Sequence, residues 1–157
     1  MKRGDPAPSQ EARAELPGEF TLIQKVKARL NAGTGSLETS GEEIGRYAFK
    51  TQFLCRKGNP GKMVLMDISG DSMMPVLEDG DTVLIDESQS DIIPGGMFAV
   101  GVDDAVFVKY VDCEPGMLIL RSRNERYKPI EVPMSGDLAG GVRIIGRVVW
   151  SCREYGG

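Results

Sequence analysis

From residue 63 onward the sequence is a succession of short apolar or alternating runs separated by turn-forming residues. Glycine, aspartate or proline interrupts it at 78–81, 94–96, 103–104 and 114–116, and such residues favour tight turns between strands. The runs cover 63–68, 82–86, 97–102, 106–111, 117–121 and 142–151. Twenty glycines in 157 residues suit the same design. The pattern predicts a mainly β fold, with a hairpin at 102–106.

The first third of the chain has a different composition. Residues 1–19 hold three prolines and few apolar groups, which predicts a flexible linker or tail ahead of one domain over 20–157. Rough alternation over 20–30 predicts a strand, and the glycines of 31–35 predict a mobile loop. Phe49 and Phe53 have helical spacing and Gly58 stands where a C-cap would, so a short helix is expected over about 49–57.

Composition excludes several classes of function. The chain has no histidine, so Ser-His-Asp triads, Cys-His pairs and histidine-ligated metal sites are excluded. Cys55, Cys113 and Cys152 are far apart in the sequence and form no CxxC pair, which predicts half-buried free thiols in a reducing compartment. We therefore expect no metal and no cofactor.

Charge and hydropathy restrict the partners. The net charge of −4 is unfavourable for a chain that binds nucleic acid by itself, because phosphate binding needs a positive surface. The longest apolar stretch is far shorter than the ~18 residues of a membrane span, and the N-terminus is too charged for a signal peptide. The expected location is the cytoplasm.

Ser72 is the first candidate for chemistry. It follows an apolar run and a Gly-Asp turn and precedes Met73. A serine at such a turn lies beside backbone N–H groups, here those of Ser72 and Met73, which could form an oxyanion hole. The alternative is an ordinary turn or N-cap serine.

Lys109 is the second candidate. Without histidine, a serine nucleophile needs a neutral amine as its base, and desolvation can make a lysine neutral. Lys109 lies within the apolar run 106–111 and by alternation shares a face with Phe107 and Val111. The alternative is an edge lysine whose ammonium group reaches water.

Together these residues form a recognisable set. The segment Gly70-Asp71-Ser72-Met73-x-Pro75, the turn Asp79-Gly80-Asp81 and the pair Val108-Lys109 resemble the self-cleaving domain of LexA, UmuD and lambda-type phage repressors. The pattern Leu120-x-Ser122-x-Asn124-x-x-Tyr127-x-Pro129-Ile130 and residues 145–149 are similar to it too. The resemblance runs from about residue 20 to the end and is closest to phage repressors, in which a helix-turn-helix domain comes first. Since 1–19 is too short for that domain, the chain is expected to be a fragment of a repressor or a free-standing UmuD-like protein.

The resemblance implies a LexA-like, signal-peptidase-like curved β fold with one or two short helices. It makes Ser72 the nucleophile, Lys109 the general base, and the amides of Ser72 and Met73 the oxyanion donors. The scissile bond would be Ala32–Gly33, the only Ala-Gly bond upstream of the serine. The implied partners are a second copy of the chain and the RecA–single-stranded DNA filament as co-protease. Operator DNA would be bound only through a helix-turn-helix domain absent from this chain.

Two other functions fit the sequence. One is a dimerisation module of a repressor that never cuts. The other is a signal-peptidase-like processing enzyme, which would normally need a membrane anchor. For the dimer, the apolar cluster Val148, Val149 and Trp150 near the end of run 142–151 is the expected contributor, although Trp150 could instead close the core.

Overall fold

The computed structural model describes residues 19–29, 37, 44–135 and 141–156, which form a nine-stranded mixed sheet. The strands are β1 Phe20–Val26, β2 Gly45–Lys50, β3 Met63–Asp67, β4 Thr82–Asp86, β5 Gly96–Val102, β6 Ala105–Glu114, β7 Met117–Arg121, β8 Ile130–Pro133 and β9 Val142–Cys152. Their order across the sheet is β2-β1-β3-β4-β9-β5-β6-β7-β8. The predicted mainly β fold is confirmed.

Short non-strand elements connect β2 to β3. Helix α1, Thr51–Lys57, is followed by a 3-10 turn at Pro60–Lys62. The predicted start of this helix at 49 is wrong, because Phe49 and Lys50 belong to β2 and pair with Thr21 and Phe20 of β1. Gly58 does end the helix, and its N–H donates to the Leu54 carbonyl.

Two strands escaped prediction because neither has a continuous apolar run. Every residue of β2 is at least partly exposed. In β8 one residue, Val132, is buried, and the strand lies at the edge of the sheet and ends in a proline. The strand predicted for 20–30 ends at Val26, and Arg29 makes an isolated antiparallel bridge to Ala105. Residues 1–18 of the predicted tail and the predicted loop at 31–35 lie outside the described residues.

The hairpin predicted at 102–106 is confirmed. β5 and β6 pair from Gly96↔Val111 to Val102↔Ala105, leaving a two-residue turn. Asp103 in this turn has a φ of 55°, a left-handed conformation that aspartate tolerates better than most residues.

The C-terminal strand lies inside the sheet. β9 pairs with β4 on one side and β5 on the other, so much of its backbone is hydrogen-bonded within the sheet. Val148 packs against one core cluster, while Val149 and Trp150 pack against another. The Trp150 ring lies edge-on to Phe49 at 5.0 Å between centroids. It also lines an open groove of about 500 Å³ with aromatic residues of β1, β2 and α1.

Two of the three cysteines differ from expectation. Cys55 and Cys113 are exposed and Cys152 is half-buried, and none forms a disulfide. Exposure follows from their positions, since Cys55 lies on the outer side of α1 and Cys113 near the end of β6. In the described part of the chain, no helix is long and apolar enough to cross a membrane.

Asp86 joins the helix end to the sheet. Its carboxylate is fully buried at the end of β4 and accepts hydrogen bonds from the N–H groups of Asn59 and Ser88, the Ser88 hydroxyl and the Gln89 amide. Burial alone would raise the pKa of Asp86, but these hydrogen bonds outweigh it and lower the pKa. Gly58 lies directly against this group: a Cβ there would be 1.8 Å from Asp86 Oδ2.

This contact gives the first prediction. Gly58→Ala should lower the free energy of unfolding by about 1–3 kcal/mol, because the added methyl displaces a buried, hydrogen-bonded carboxylate. Gly61→Ala in the next turn is the control, since its nearest contact would be 3.4 Å. Urea denaturation of both variants measures the difference. Equal stabilities would contradict the assigned role of Gly58.

Candidate active site

The turn that carries Ser72 is closed by backbone hydrogen bonds where it leaves and re-enters the sheet. Ile68 N–H donates to the Asp81 carbonyl and Gly80 N–H to the Ile68 carbonyl, so the chain leaves and re-enters the sheet at one point. Gly70 and Gly80 have φ values of 86° and 93°, which glycine adopts without strain. The sequence therefore folds 69–79 into a compact projection from the end of β3.

Core contacts hold this projection in place. Met73 and Leu77 are each 2% exposed and belong to the core cluster that also contains Val108. Leu77 N–H donates to the Met73 carbonyl and closes a hydrogen-bonded turn directly after the serine. Ser72 itself is half-buried, and within the described residues the amides of Ser72 and Met73 make no backbone hydrogen bond.

Lys109 is almost fully enclosed. It lies in β6 opposite Phe98 of β5 and is 7% exposed. Its Nζ donates to Ser122 Oγ at 2.8 Å and lies 5.7 Å from the Tyr127 ring centroid and 6.0 Å from that of Phe107. Burial lowers the pKa of Lys109 below the ordinary lysine value, because desolvation penalises the ammonium form. The edge-lysine alternative, with its head in water, does not describe this residue.

Residues 122–127, which follow β7, connect Lys109 to the Ser72 turn. The N–H of Asn124 donates to the Ser72 carbonyl at 2.9 Å, and its side-chain amide donates to the Asp71 carbonyl at 3.0 Å. The Tyr127 hydroxyl donates to the Asp71 carboxylate while its ring faces Lys109 Nζ. Tyr127 thus contacts both Lys109 and Asp71, the residue before Ser72, although Ser72 and Lys109 are 37 positions apart in the sequence.

Sequence reasoning placed Ser122, Asn124 and Tyr127 in a motif without giving them roles. The sequence signal that could have found them is three polar residues in the loop after a buried strand. Polar side chains in such loops belong to functional sites more often than to cores. Ala32 and Gly33 lie outside the described residues. Their flanks are described: Arg29 pairs with Ala105, and Leu37 is buried in the same core cluster as Met73 and Val108.

Comparison with known proteins identifies the family. Residues 22–149 match the model of the family described as peptidase S24-like. The chain belongs to the peptidase S24-like family. The LexA-type resemblance read from the motifs is thereby confirmed.

Relatives of this S24 domain carry the names of regulators. The HTH-type transcriptional regulator PrtR of Pseudomonas aeruginosa is 31% identical over 147 residues, covering 91% of this chain and 55% of that protein. The repressor protein CI of Enterobacteria phage phi80 is 36% identical over 83 residues, 52% of this chain and 33% of that protein. The LexA repressor of Aliivibrio fischeri is 33% identical over 72 residues, 45% and 34% respectively. The chain spans about half the length of PrtR and a third of the other two.

Among the described residues, no group of three or more histidine, cysteine, aspartate or glutamate side chains converges. The nearest acidic group to the serine, Asp71, is occupied by the Tyr127 hydroxyl.

The buried lysine gives the second prediction. With its folded pKa below 10.5, Lys109 binds fewer protons in the folded than in the unfolded chain between those two values, so stability rises with pH across that window. Well below the folded pKa, the free-energy cost of burying the ammonium form reduces stability in full, and above 10.5 this cost vanishes. Lys109→Met, made in a Ser72→Ala background, should therefore melt higher than its parent at pH 7, by an amount that shrinks toward pH 10.5.

The matched control is Lys128→Met, since Lys128 is exposed. Melting temperatures by circular dichroism at several pH values provide the measurement. If the difference in melting temperature between Lys109→Met and its parent stayed constant with pH, burial would not lower the pKa of Lys109.

Proposed function

We propose that this chain is the self-cleaving and dimerising domain of a phage-type transcriptional repressor, a serine peptidase with Ser72 as nucleophile and Lys109 as general base. One observation carries the proposal: residues 122–127 bond to the backbone of the Ser72 turn and also enclose the Lys109 amine. A buried lysine with a lowered pKa supports the proposal, because a serine nucleophile in a chain without histidine requires a neutral amine as its base.

The reaction is an acyl transfer followed by hydrolysis. Ser72 Oγ attacks the Ala32 carbonyl carbon, and the neutral Lys109 amine takes the hydroxyl proton. The amides of Ser72 and Met73 stabilise the oxyanion. The C–N bond to Gly33 then breaks as Lys109 returns the proton to the departing amine. Water, deprotonated by Lys109, hydrolyses the Ala32 ester and frees Ser72.

The choice of Ala32–Gly33 is supported by the contacts on either side of it. Arg29 is tied to Ala105 on the strand that carries Lys109. Leu37 is tied to the core cluster beneath Met73. At ~3.3–3.6 Å per residue, Ala32 lies within about 11 Å of Arg29, and Gly33 within about 14 Å of Leu37. A small residue followed by glycine also suits a sharp turn into a narrow site.

The remaining partners follow from the family and its relatives. A second copy of the chain would supply the two-fold symmetry of an operator. The RecA–single-stranded DNA filament would favour the cleavable arrangement, and operator DNA would be contacted by a separate helix-turn-helix domain. Proteins named as repressors and transcriptional regulators among the relatives support this setting, and the location we propose with it is the cytoplasm.

A second candidate is a dimerisation module that keeps the fold without cutting. One observation favours this second candidate. Lys109 Nζ already has a hydroxyl partner in Ser122, and this hydrogen bond suits an amine with a purely structural role. Incubation at alkaline pH separates the two candidates, because only the peptidase responds to deprotonation of Lys109 by cleaving.

The third prediction concerns the two catalytic residues. Wild-type chain should cleave itself without RecA as the pH rises, with a midpoint below 10.5, the ordinary lysine pKa. Ser72→Ala and Lys109→Met should each abolish cleavage and still fold. Ser69→Ala and Lys128→Met change neighbouring exposed residues of the same types and should cleave like wild type. Gel densitometry across pH gives the rates, and cleavage by Lys109→Met would refute the mechanism.

The fourth prediction concerns the bond. Intact-mass spectrometry after alkaline incubation should show one product ending at Ala32 and one beginning at Gly33. Gly33→Val should block the cut because the branched side chain restricts the backbone at the attacked bond, whereas Gly35→Val, two residues on, should slow it less. A product ending elsewhere would discard this bond and leave the roles of Ser72 and Lys109 intact.

A further inference from the structure

Leu37 has a role that the cleavage chemistry does not explain. It is the one described residue between positions 30 and 43, and it is 2% exposed. Its side chain belongs to the core cluster that includes Met73, next to Ser72, and Val108, next to Lys109. A residue four positions beyond Gly33 therefore shares a core cluster with a sequence neighbour of each catalytic candidate.

The backbone of Leu37 is bound as well. Its N–H donates to Glu87 Oε2 at 3.1 Å. Glu87 follows β4 directly, and its own N–H donates to the Lys62 carbonyl at 2.8 Å, so the carboxylate is presented from a fixed position. A carboxylate that accepts from a backbone amide fixes the position of the chain, whereas an apolar recess selects the side chain.

We propose that Leu37 and Glu87 form the anchor that binds the cleavage segment on the C-terminal side of its scissile bond. In this anchor the core recess selects a leucine-sized apolar side chain at the fourth position after Gly33, and the Glu87 carboxylate sets the register by which Ala32–Gly33 reaches Ser72. The anchor deepens the proposed function and rests on it. Leu37 and Glu87 are positioning residues, since neither touches the reacting atoms.

Charge around the anchor is consistent with this assignment. Lys62 and Asp86 are the charged groups that act on the Glu87 carboxylate, and their effects oppose each other. Burial raises the pKa of Glu87. The Leu37 amide is the hydrogen-bond donor that compensates this half-buried carboxylate, so Leu37 and the carboxylate stabilise each other.

Four variants of the full chain test the anchor through the rate of alkaline self-cleavage. Glu87→Ala removes the acceptor and should slow cleavage at least tenfold, while Glu87→Gln keeps an acceptor oxygen and should stay within about twofold of wild type. Leu37→Ala should slow cleavage similarly, and Leu37→Met, which keeps the volume, should not. Rates are compared at a temperature where all variants are folded by circular dichroism.

Two matched controls separate positioning from stability. Asp91→Ala removes an exposed carboxylate four residues after Glu87. Leu118→Ala creates a comparable cavity in a different core cluster. Both should cleave at the wild-type rate, although Leu118→Ala should melt lower. Cleavage by Glu87→Ala and Leu37→Ala at the wild-type rate would overturn the anchor while leaving Ser72 and Lys109 as the catalytic pair.

A second readout is independent of cleavage. In the Ser72→Ala background, hydrogen exchange of the Leu37 amide should be at least tenfold faster in Glu87→Ala than in Glu87→Gln. An amide that stays equally protected in Glu87→Ala would overturn the anchor by itself. Failure of the wild-type chain to cleave at any pH would instead overturn the proposed function, and with it the presenting role of the anchor, whatever the amide shows.

Discussion

Enclosure of the Lys109 amine is the constraint on which the rest of the site depends. A lysine can act as a base near neutral pH only if water is excluded from its ammonium form. Here β5 lies alongside, the rings of Phe107 and Tyr127 lie over the Nζ, and Ser122 supplies the hydrogen-bond partner. Each of these contacts needs its own element in place, so β5, β6 and the segment after β7 must all form before the amine is enclosed. In the proposed mechanism, folding is therefore also the event that activates the base.

The sheet order explains how distant residues reach this point. β9, the last strand in the chain, inserts between β4 and β5 and joins the half that carries Ser72 to the half that carries Lys109. Gly146 lets the join close, because a Cβ there would be 2.5 Å from the Asp86 carbonyl oxygen. Without β9 the two halves would share few backbone hydrogen bonds, and the serine and the lysine would have no common frame.

The fold and the enclosure of Lys109 were predictable from the sequence, and the contacts of the supporting residues were not. Buried strands such as β4 and β9 correspond to apolar runs in the sequence. Ser72 is a polar residue that follows such a run, and Lys109 is a polar residue in the middle of one. Strands β2 and β8 stay hidden because at least one face is solvated and they gain their structure by pairing. The contacts of Asn124 with Asp71 and of Glu87 with Leu37 join positions 53 and 50 residues apart. Such contacts have no local sequence signature, since they are created by the topology.

The proposed self-cleavage has an intramolecular substrate, which changes what the binding site has to supply. A segment tethered at Arg29 and held at Leu37 is present at high effective concentration, so productive encounter requires little intrinsic affinity. One leucine side chain and one hydrogen bond to a carboxylate are a small interface by the standards of separate partners. Weak retention suits a single-turnover cut, because the products need not be bound or released for another cycle. In such a chain the anchor needs to bind only strongly enough to hold the segment until the cut is made. The choice of bond depends on register, because the distance along the backbone from Leu37 to Gly33 determines which carbonyl can reach Ser72.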